Sequence, residues 1–586
     1  MKIYIYYSLF FISIFSIVSC KKPKISDIEE DKKEILDADY TLNFNVNSIK
    51  DLDVEEINLY ASSKTQKAEE NKNIDKSVDS NPKKISINKY VSAKSVDALI
   101  TINNENLFNS SHSDSSSSNP NNKLHKIASG VKLNNGIKYR VILYKTDNSG
   151  NPTEYLTESI GTIGSPLAIP VYRNKTYRWY AITYNSTVAP PFNSTTGKVN
   201  VRASRSTDVS NRQDFAYETG LITTSNEFQG QNKLPVNIIL KRKTAKIRIE
   251  INSRGLFAPI TAGGINFNST SNLGMLQGDF NILNGQYDVL SNFAISVPYD
   301  SLINNTDSVP ARWKKYYDFL TPVNNTSLSL HPQLNNLAVT SNRIIDNEPN
   351  TFTSRVRVFN SPSFPIPSFV AEQAKFYIVG IKLIESAIDR GGVKWARANL
   401  FYDSSIPYNQ YRFRYDNASI ENINGGVSNF RTTDFWLGGL TPTDNAALTN
   451  TALPDPCTLV YPQGTWKLPS SANYTSLMDS DGYARNAQYR NAGWYITWDN
   501  IGSATGHPHG HLIFTANGYF IGTTLNDNPY NTNDPVAWFR TSSRYAVGST
   551  YYPVYFQLTR TATSGYLVYV PGTTQRSTQI RCIRTS

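Results

Sequence analysis

The sequence predicts a mainly β protein built from several domains. Among its 586 residues are 36 tyrosines and 26 phenylalanines, whereas only 18% of the residues are charged. Aromatic residues favour strands, and this composition is typical of extracellular β-structure. Several segments alternate apolar and polar residues with period two, which indicates strands with one buried face, and no segment shows the periodicity of a long amphipathic helix. At about 150 residues per domain, we expect two β-sandwiches in series followed by a separate C-terminal domain.

The first twenty residues have the features of a lipoprotein signal peptide. Lys2 precedes an apolar stretch, residues 3–18, and Cys20 follows the small residue Ser19. The stretch is shorter than the roughly 20 residues that cross a bilayer, so it indicates export and not a membrane span. We expect Cys20 to be acylated, with palmitate among its lipids, and residues 21–38 to form a polar tether to the outer membrane. An ordinary signal peptide, in which Cys20 is incidental, is the alternative.

Strand patterns mark a first β-sandwich, which we place at residues 39–245. Residues 40–46 alternate four apolar side chains with polar ones, and residues 136–144 and 177–184 are rich in aromatic and β-branched residues. Two low-complexity insertions, near residues 62–84 and 109–122, are predicted to be disordered surface loops.

A second β-sandwich is predicted at residues 246–390 and a C-terminal domain at residues 391–586. Residues 245–251 place isoleucines on one face and charges on the other, which predicts a sheet with one solvent-exposed face. The next strong strand pattern is at residues 375–384. Beyond residue 391 tryptophans become frequent, and each buried indole N–H needs an acceptor, so we expect a tightly specified core.

The charge and the cysteines restrict the class of protein further. The net charge of +11 is not accompanied by a nucleic-acid-binding motif, so we interpret it as a diffuse surface charge and expect no nucleic acid partner. With Cys20 acylated, Cys457 and Cys582 remain, and a pair in an exported protein most simply forms a disulfide. Two free, buried thiols are the alternative.

No motif predicts catalysis. The sequence lacks the nucleophile elbow, the zinc-protease helix motif, the phosphate-binding glycine loop and the paired-cysteine redox motif, so we predict a non-enzyme without cofactors. Paired carboxylates of the glycosidase kind stay open, because their separation is a three-dimensional quantity.

One run concentrates three of the six histidines, His507, His509 and His511. On a strand the three imidazoles would face the same way and could bind Zn²⁺ or Cu²⁺. Pro508 and Gly510 favour a solvated loop instead, so we expect no metal and keep the three histidines as candidate ligands.

Tyrosines of the C-terminal domain are candidates for stacking on sugar rings. Such residues more often lie in a core or in cross-strand pairs. The candidates are Tyr545, Tyr551, Tyr552, Tyr555, Tyr566 and Tyr569.

Five pieces of the first two thirds of the chain occur in a characteristic order. They are the signal ending at Cys20, residues 136–144, residues 177–184, residues 214–218 and residues 244–251. In this order they resemble the fimbrillin group of Bacteroidota outer-membrane lipoproteins. The resemblance implies two transthyretin-like β-sandwiches and a role in fimbriae or related cell-surface adhesion.

The C-terminal part carries a second set of pieces. They are residues 455–457, 464–469, 512–519, 537–543 and 580–582. These resemble the FISUMP domain of surface proteins from the same bacteria, and the resemblance implies that Cys457 pairs with Cys582. Residues 466–469 are also similar to a segment of formylglycine-generating-enzyme relatives, which implies an α+β fold of the C-type-lectin kind. The chain departs from that segment at Lys467 and at residues 470–474, which replace its acidic helix start.

Together these features predict a non-catalytic, lipid-anchored adhesin at the cell surface, either a fimbrial tip or accessory component or a fimbrillin-like protein. Fimbrial subunits and host or environmental glycans or proteins are the expected partners. The chain ends four residues after Cys582, so we expect no free C-terminal strand for donation to a neighbouring subunit. The alternative is a surface glycan-binding lipoprotein that captures carbohydrate for uptake.

Overall fold

The structure is a computed structural model of the chain. It describes residues 40–50, 86–93, 96–105, 131–225, 233–268, 274–342, 354–414, 433–444, 454–479, 486–490, 493–497, 512–515, 518–522, 524–526, 536–559, 566–569 and 576–585. The signal peptide with Cys20, the tether, both predicted insertions and the histidine run lie outside these residues. The expectations for them therefore stay predictions.

Strands dominate the described residues, which confirms the mainly β class. Before residue 243 the strands are β1 (Tyr40–Lys50), β2 (Ser86–Ala93), β3 (Val96–Glu105), β4 (Val131–Lys132), β5 (Lys138–Thr146), β6 (Pro152–Thr162), β7 (Leu167–Val171), β8 (Thr176–Ser186), β9 (Lys198–Arg202), β10 (Ser204–Arg205), β11 (Ala216–Thr223) and β12 (Lys233–Arg242). The central strands are β13 (Thr244–Gly255), β14 (Ile260–Phe267), β15 (Met275–Asn281), β16 (Gln286–Tyr287), β17 (Ser291–Phe293), β18 (Ile295–Val297), β19 (Ile303–Asn304), β20 (Lys314–Pro322), β21 (Thr326–Leu330), β22 (Gln333–Asn342), β23 (Ser354–Phe359), β24 (Ile366–Ala371) and β25 (Phe376–Glu385).

The remaining strands and the α-helix of the described residues follow β25 in the chain. They are β26 (Ile388–Arg390), β27 (Val393–Trp395), β28 (Asn399–Tyr402), β29 (Tyr411–Arg414), β30 (Trp466–Lys467), α1 (Ser471–Asp479), β31 (Asn486–Arg490), β32 (Gly493–Thr497), β33 (Ile513–Thr515), β34 (Tyr519–Ile521), β35 (Thr524–Asn526), β36 (Val536–Val547), β37 (Thr550–Thr559), β38 (Tyr566–Tyr569) and β39 (Ile583–Arg584). No helix of the described chain is long and apolar enough to cross a membrane.

The first sheet has eight strands in the order β4-β1-β12-β11-β8-β5-β6, and β7 also pairs with β1. Strands β1 and β12 are parallel, and Leu42, Phe44 and Val46 of β1 are buried. The alternation at residues 40–46 therefore predicts the buried face correctly. The opposite face of the sheet packs on β9 and β15 through an aromatic cluster that includes Phe215 and Phe280, whose ring centroids are 4.9 Å apart.

The second sheet has seven strands in the order β10-β20-β13-β25-β3-β2, with β19 also on β20. It packs against the sheet β18-β14-β22-β23 and the pair β21-β24, and together they enclose one apolar core. This arrangement is a β-sandwich, as the sequence predicts. The transthyretin-like topology that the resemblance implies stays a prediction.

The sheets do not follow the predicted boundary at residue 245. The hairpin β2–β3 precedes that residue, yet β3 pairs with β25 along its whole length and buries Ile100 and Ile102 in the core of the second sheet. The alternation of β3 identifies a strand but not its partner, because a strand can pair with any segment that the chain brings beside it. The two predicted insertions thus flank a hairpin of the second sandwich.

Strand β13 shows both what the pattern predicts and where it is wrong. Its isoleucines at 247, 249 and 251 are buried, as expected. The sequence predicts a solvent-exposed charged face, but this face is half-buried and carries ion pairs: Lys246 and Arg248 contact Asp318 at 2.9 and 2.7 Å, and Glu250 contacts Lys314 at 3.1 Å. The reason is that β13 lies between β20 and β25, whose side chains cover it.

The Asp318 carboxylate should make the stability of this sheet sensitive to acid. Burial by itself raises the pKa of Asp318, but its bonds to Arg248 and Lys246 prevail and hold the pKa below its ordinary value of 3.8. A carboxylate with a depressed native pKa stabilises the fold above its unfolded pKa, and this contribution is lost as the pH falls further. We therefore expect the free energy of unfolding to decrease as the pH falls below about 4. Urea titrations at several pH values measure this decrease. Asp318→Asn should flatten it, and an equal pH dependence in that variant would contradict the assignment.

The described residues of the C-terminal domain form small sheets and helix α1, and the α+β class of this domain stays a prediction. The hairpin β26–β27 turns at Gly391 and Gly392, which both have positive φ angles. A Cβ atom on Gly391 would lie 2.3 Å from the carbonyl oxygen of Ser476 in α1, so glycine is required there. This contact joins the first strands of the domain to its helix. Likeness to C-type lectins stays a prediction.

Helix α1 begins with a reciprocal cap. The backbone N–H of Ser470 donates to Asn473 Oδ1 at 2.8 Å, and the backbone N–H of Asn473 donates to Ser470 Oγ at 3.3 Å. This is the capping-box arrangement, with Asn at the position where Glu or Gln is usual. The departure of residues 470–474 from the acidic helix start therefore replaces one cap with another.

Candidate binding surface of the C-terminal domain

The C-terminal domain is fastened to the second sheet near its own C-terminus. The guanidinium of Arg584 donates to Asp97 Oδ2 at 2.9 Å and to the carbonyl oxygen of Glu385 at 2.6 Å. Its Cζ atom also lies 4.3 Å from the ring centroid of Trp466. Strands β3 and β25 of the second sheet thus both bind an arginine of the last strand.

A second group of contacts supports the same junction. Asn252 Nδ2 donates to Tyr461 Oη at 2.8 Å, and Asn409 Nδ2 donates to the carbonyl oxygen of Arg254 at 3.1 Å. The Arg254 guanidinium lies 4.1 Å from the Tyr461 ring. Apolar residues of both parts, among them Phe257 and Trp466, share one core. The domain is therefore held in a defined orientation on the second sandwich.

The Cys457–Cys582 disulfide that the resemblance implies is present, with an Sγ–Sγ distance of 2.02 Å. Both residues are fully buried. Asp455 positions the first cysteine, because its carboxylate accepts from the backbone N–H groups of Cys457 and Leu468 at 2.9 and 2.8 Å. The disulfide joins this turn to the end of the chain.

Three fully buried tryptophans form the centre of the domain. The indole N–H groups of Trp395 and Trp436 reach the carbonyl oxygens of Arg390 at 3.3 Å and Leu440 at 3.4 Å. The indole of Trp466 has no hydrogen-bond acceptor among the described residues. Of these three tryptophans, Trp395 and Trp436 have the acceptor that we expect for a buried indole. Trp466 does not, and its ring instead contacts Arg584.

Two buried arginines of the FISUMP-like pieces have a structural role. Arg540 donates to the carbonyl oxygens of Gly438 at 2.7 Å and Pro454 at 3.0 Å, and Arg581 donates to that of Ala396 at 3.1 Å. Burial lowers the pKa of Arg540 to about 10 and that of Arg581 to about 9. Both side chains organise loops and are not presented to a ligand.

A two-stranded ribbon forms the candidate binding surface. We call residues 544–553, the outer halves of β36 and β37, the ribbon. Third-strand pairing by β38 reaches only residues 554–557, so the described ribbon has two strands. Val547 pairs with Thr550, and the two-residue turn begins at Gly548, whose φ is 61°. A turn of this length with glycine first is a recognisable hairpin signal.

The ribbon presents an aromatic face to solvent. Tyr545 is directly opposite Tyr552, and Val547 follows on the same face. Tyr545 is 44% exposed and Val547 is 51% exposed. Tyr551 lies on the other face, opposite Ala546. Two adjacent tyrosines on one exposed face can stack on a sugar or pack on a protein.

The six candidate tyrosines therefore have different environments. Tyr545 is exposed, and Tyr551 and Tyr552 are half-buried. Tyr555 is buried and donates to the carbonyl oxygen of Arg576 at 3.4 Å, as the alternative of a core position predicts. It lies nearer the domain core than the ribbon tyrosines, and aromatic periodicity alone does not reveal this. The side chains of Tyr566 and Tyr569 lie outside what the structure describes.

No group of three or more His, Cys, Asp or Glu side chains suited to a metal occurs among the described residues. His507, His509, His511 and Cys20 lie outside the described residues.

No family model matches the sequence, and no curated protein matches it. Among solved structures, part of the chain is similar to a candidate cell adhesion protein of Bacteroides ovatus, with 12% identity, a TM-score of 0.25, and coverage of 42% of this chain and 81% of that one. The fimbrial anchor protein Mfa2 of Porphyromonas gingivalis is similar at 11% identity and TM-score 0.20, with 35% and 68% covered. The C-terminally truncated tip fimbrial protein Mfa3 of the same organism is similar at 10% identity and TM-score 0.21, with 42% and 94% covered. TM-scores this low support no transfer of function.

Proposed function

We propose that the protein is a non-catalytic adhesin, lipid-anchored at Cys20 to the outer membrane and displayed at the cell surface, whose C-terminal domain binds the partner. The anchor and the surface location rest on the lipoprotein signal pattern that ends at Cys20 and on the fimbrillin and FISUMP resemblances. Within the described residues, the observation that carries the proposal is the exposed tyrosine face of the ribbon on a domain fastened to the second sandwich. A fixed domain that presents exposed aromatics suits recognition better than catalysis, because binding requires complementary surface and no reacting groups.

The fimbrial form of the proposal places the protein at a fimbrial tip or as an accessory component. The stand-alone form needs no other subunit. Recovery of fimbrial subunits with the protein in cross-linked surface extracts distinguishes the two forms. Recovery of the protein only as a monomer would contradict the fimbrial form and remain consistent with a stand-alone adhesin.

A glycan-capturing lipoprotein is the second candidate function. The cross-strand pair Tyr545 and Tyr552 favours it, because adjacent aromatic faces suit sugar rings. Capture for uptake predicts soluble oligosaccharides as ligands, whereas adhesion predicts binding to surfaces. Competition of cell attachment by free oligosaccharide measures which one prevails.

The double change of Tyr545 and Tyr552 to alanine should weaken attachment of cells to a glycan- or host-protein-coated surface about tenfold or more, since exposed aromatic anchors carry much of the energy of an interface. Thermal stability should change little, because both side chains contact solvent. Tyr551→Ala is the matched control, since it removes a tyrosine from the opposite face of the same ribbon. Protease treatment of intact cells should degrade the wild-type protein and so verifies its display. Equal attachment by the double variant and by Tyr551→Ala would place the binding surface elsewhere.

A further inference from the structure

A second feature of the C-terminal domain, separate from the tyrosine face, concerns Arg576. Its guanidinium carbon lies 4.1 Å from the ring centroid of Tyr519 and 4.5 Å from that of Trp538. The two ring centroids are 4.9 Å apart, with the planes tilted by 59°. Both rings are buried, whereas Arg576 is half-buried and reaches solvent. The cation is therefore supported from beneath by two aromatic faces.

The backbone around Arg576 is fixed by neighbouring strands. The next residue, Ser577, exchanges two backbone hydrogen bonds with Phe520, both of 2.9 Å. Tyr555 Oη donates to the carbonyl oxygen of Arg576 itself. Gln579 then pairs with the backbone at Trp538 and Arg540. The backbone is thus held by hydrogen bonds at Arg576, Ser577 and Gln579. Together with the two ring contacts, these bonds position the guanidinium before a ligand binds, which lowers the entropic cost of binding.

The hydrogen-bonding capacity of Arg576 is available. The guanidinium carbon lies over both rings, and its N–H groups are the donors that a hydrogen-bonded ligand would use. Among the described residues, no acceptor bonds to these donors. Arg540, Arg581 and Arg584 differ, because each is buried and donates to backbone carbonyl oxygens of the fold. Arg576 is thus an oriented cation without the structural bonds that engage the other three.

The surrounding sequence adds a positive field. Residues 535–586 contain no Asp, Glu or Lys, so their charged side chains are all arginines. They are Arg540, Arg544, Arg560, Arg576, Arg581 and Arg584. Arg540 and Arg581 are buried and Arg584 is paired with Asp97, so among the described arginines of this segment Arg544 and Arg576 reach solvent and can attract an anion.

The geometry points to Arg576 as the binding site for the carboxylate of an acidic sugar, of the uronic or sialic acid kind. A planar fork of N–H donors matches a carboxylate with two parallel hydrogen bonds. That the carboxylate belongs to a sugar rests on the second candidate function, the capture of glycans. The site itself rests on the contacts of Arg576 with the Tyr519 and Trp538 rings and on its access to solvent.

Calorimetric titration of the intact chain tests the site without reference to adhesion. Glucuronate and N-acetylneuraminate are the probes, glucose is the neutral counterpart, and acetate and glucose 6-sulfate separate the sugar carboxylate from other anions. We expect binding of the two acidic sugars but not of glucose, with at least tenfold weaker binding of acetate and of the sulfate. Arg576→Gln should lose at least tenfold in affinity, because it removes charge-assisted hydrogen bonds.

Two further variants make the result specific. Arg576→Lys keeps the charge but not the planar fork, so it should bind more weakly than wild type and more tightly than Arg576→Gln. Arg544→Gln removes an arginine of the same segment, on the ribbon, and should bind as wild type. Equal affinity in wild type and in folded Arg576→Gln or Arg576→Lys would overturn the site, as would an equal loss in Arg544→Gln. If glucose binds as tightly as the acidic sugars, the site does not select an anion. If acetate or glucose 6-sulfate binds as tightly, the site does not select a carboxylate on a sugar. If the titrations give the expected affinities but cells do not attach to coated surfaces, the Arg576 site is supported and the adhesin proposal is contradicted.

Discussion

Replacing Cys457 and Cys582 together by serine should lower the free energy of unfolding of the C-terminal domain by about 4 to 5 kcal/mol. The two residues are separated by 125 positions. Closing so long a loop removes much conformational freedom from the unfolded chain, and this loss of entropy stabilises the native state. The cost falls on a domain whose core contains both cysteines together with Trp466 and Ile580.

Urea denaturation monitored by tryptophan fluorescence measures the effect. Six of the eight tryptophans lie at or beyond residue 395, so the fluorescence reports mainly on this domain. Wild-type protein in a reductant should approach the double variant, whereas the double variant should not respond to the reductant. Two free thiols in the wild type would give no response to the reductant and would contradict the disulfide.

The second large effect is expected for Arg584→Ala, at about 3 kcal/mol. The substitution leaves the Asp97 carboxylate and the Glu385 carbonyl without the arginine that they bind, and it uncovers the face of Trp466. Removing one partner of a buried polar contact costs more than the contact contributes, because the other partner stays desolvated. Since Arg584 connects the C-terminal domain to β3 and β25, we also expect the domain and the second sandwich to unfold in separate transitions.

The neighbouring residue provides the control. Thr585 is exposed, and its hydroxyl donates to the carbonyl oxygens of Gly464 and Thr465 at 3.1 and 3.0 Å. Thr585→Ala should therefore cost about 1 kcal/mol or less. Denaturant titrations followed by fluorescence and by far-ultraviolet circular dichroism compare the variants. If Arg584→Ala costs no more than Thr585→Ala, or if both probes keep a single common transition, Arg584 does not couple the two parts.

Local patterns predicted several elements to within a few residues. The runs at residues 40–46, 136–144, 177–184, 245–251 and 375–384 correspond to β1, β5, β8, β13 and β25. Alternation with period two and β-branched composition are properties of neighbouring residues, so they can be recognised without knowing which strand pairs with the segment. The cap of α1 is equally local, but the Ser470–Asn473 pair departs from the usual residue types and is less easily recognised.

Partners were harder to predict than elements. The hairpin β2–β3 lies in the second sheet although it precedes the predicted boundary, and the charged face of β13 carries ion pairs with Asp318. Both outcomes depend on residues distant in sequence. The same holds for Tyr555, which is buried, and Tyr545, which is exposed, although both occur in one aromatic-rich run.

By itself the sequence determined the mainly β class, the positions of the strong strands and the two cysteines available for a disulfide. These properties follow from composition, from period-two alternation and from cysteine count, none of which needs a distant residue. Only the tertiary structure decided which strands share a sheet and that Tyr545 and Tyr552 lie on one exposed face. It also decided that Arg584 binds the C-terminal domain to the second sheet, whereas Arg576 reaches solvent. The physical reason is that burial and charge pairing are set by contacts between segments far apart in the chain: Arg584 and Asp97 are 487 positions apart, and no local pattern records that distance.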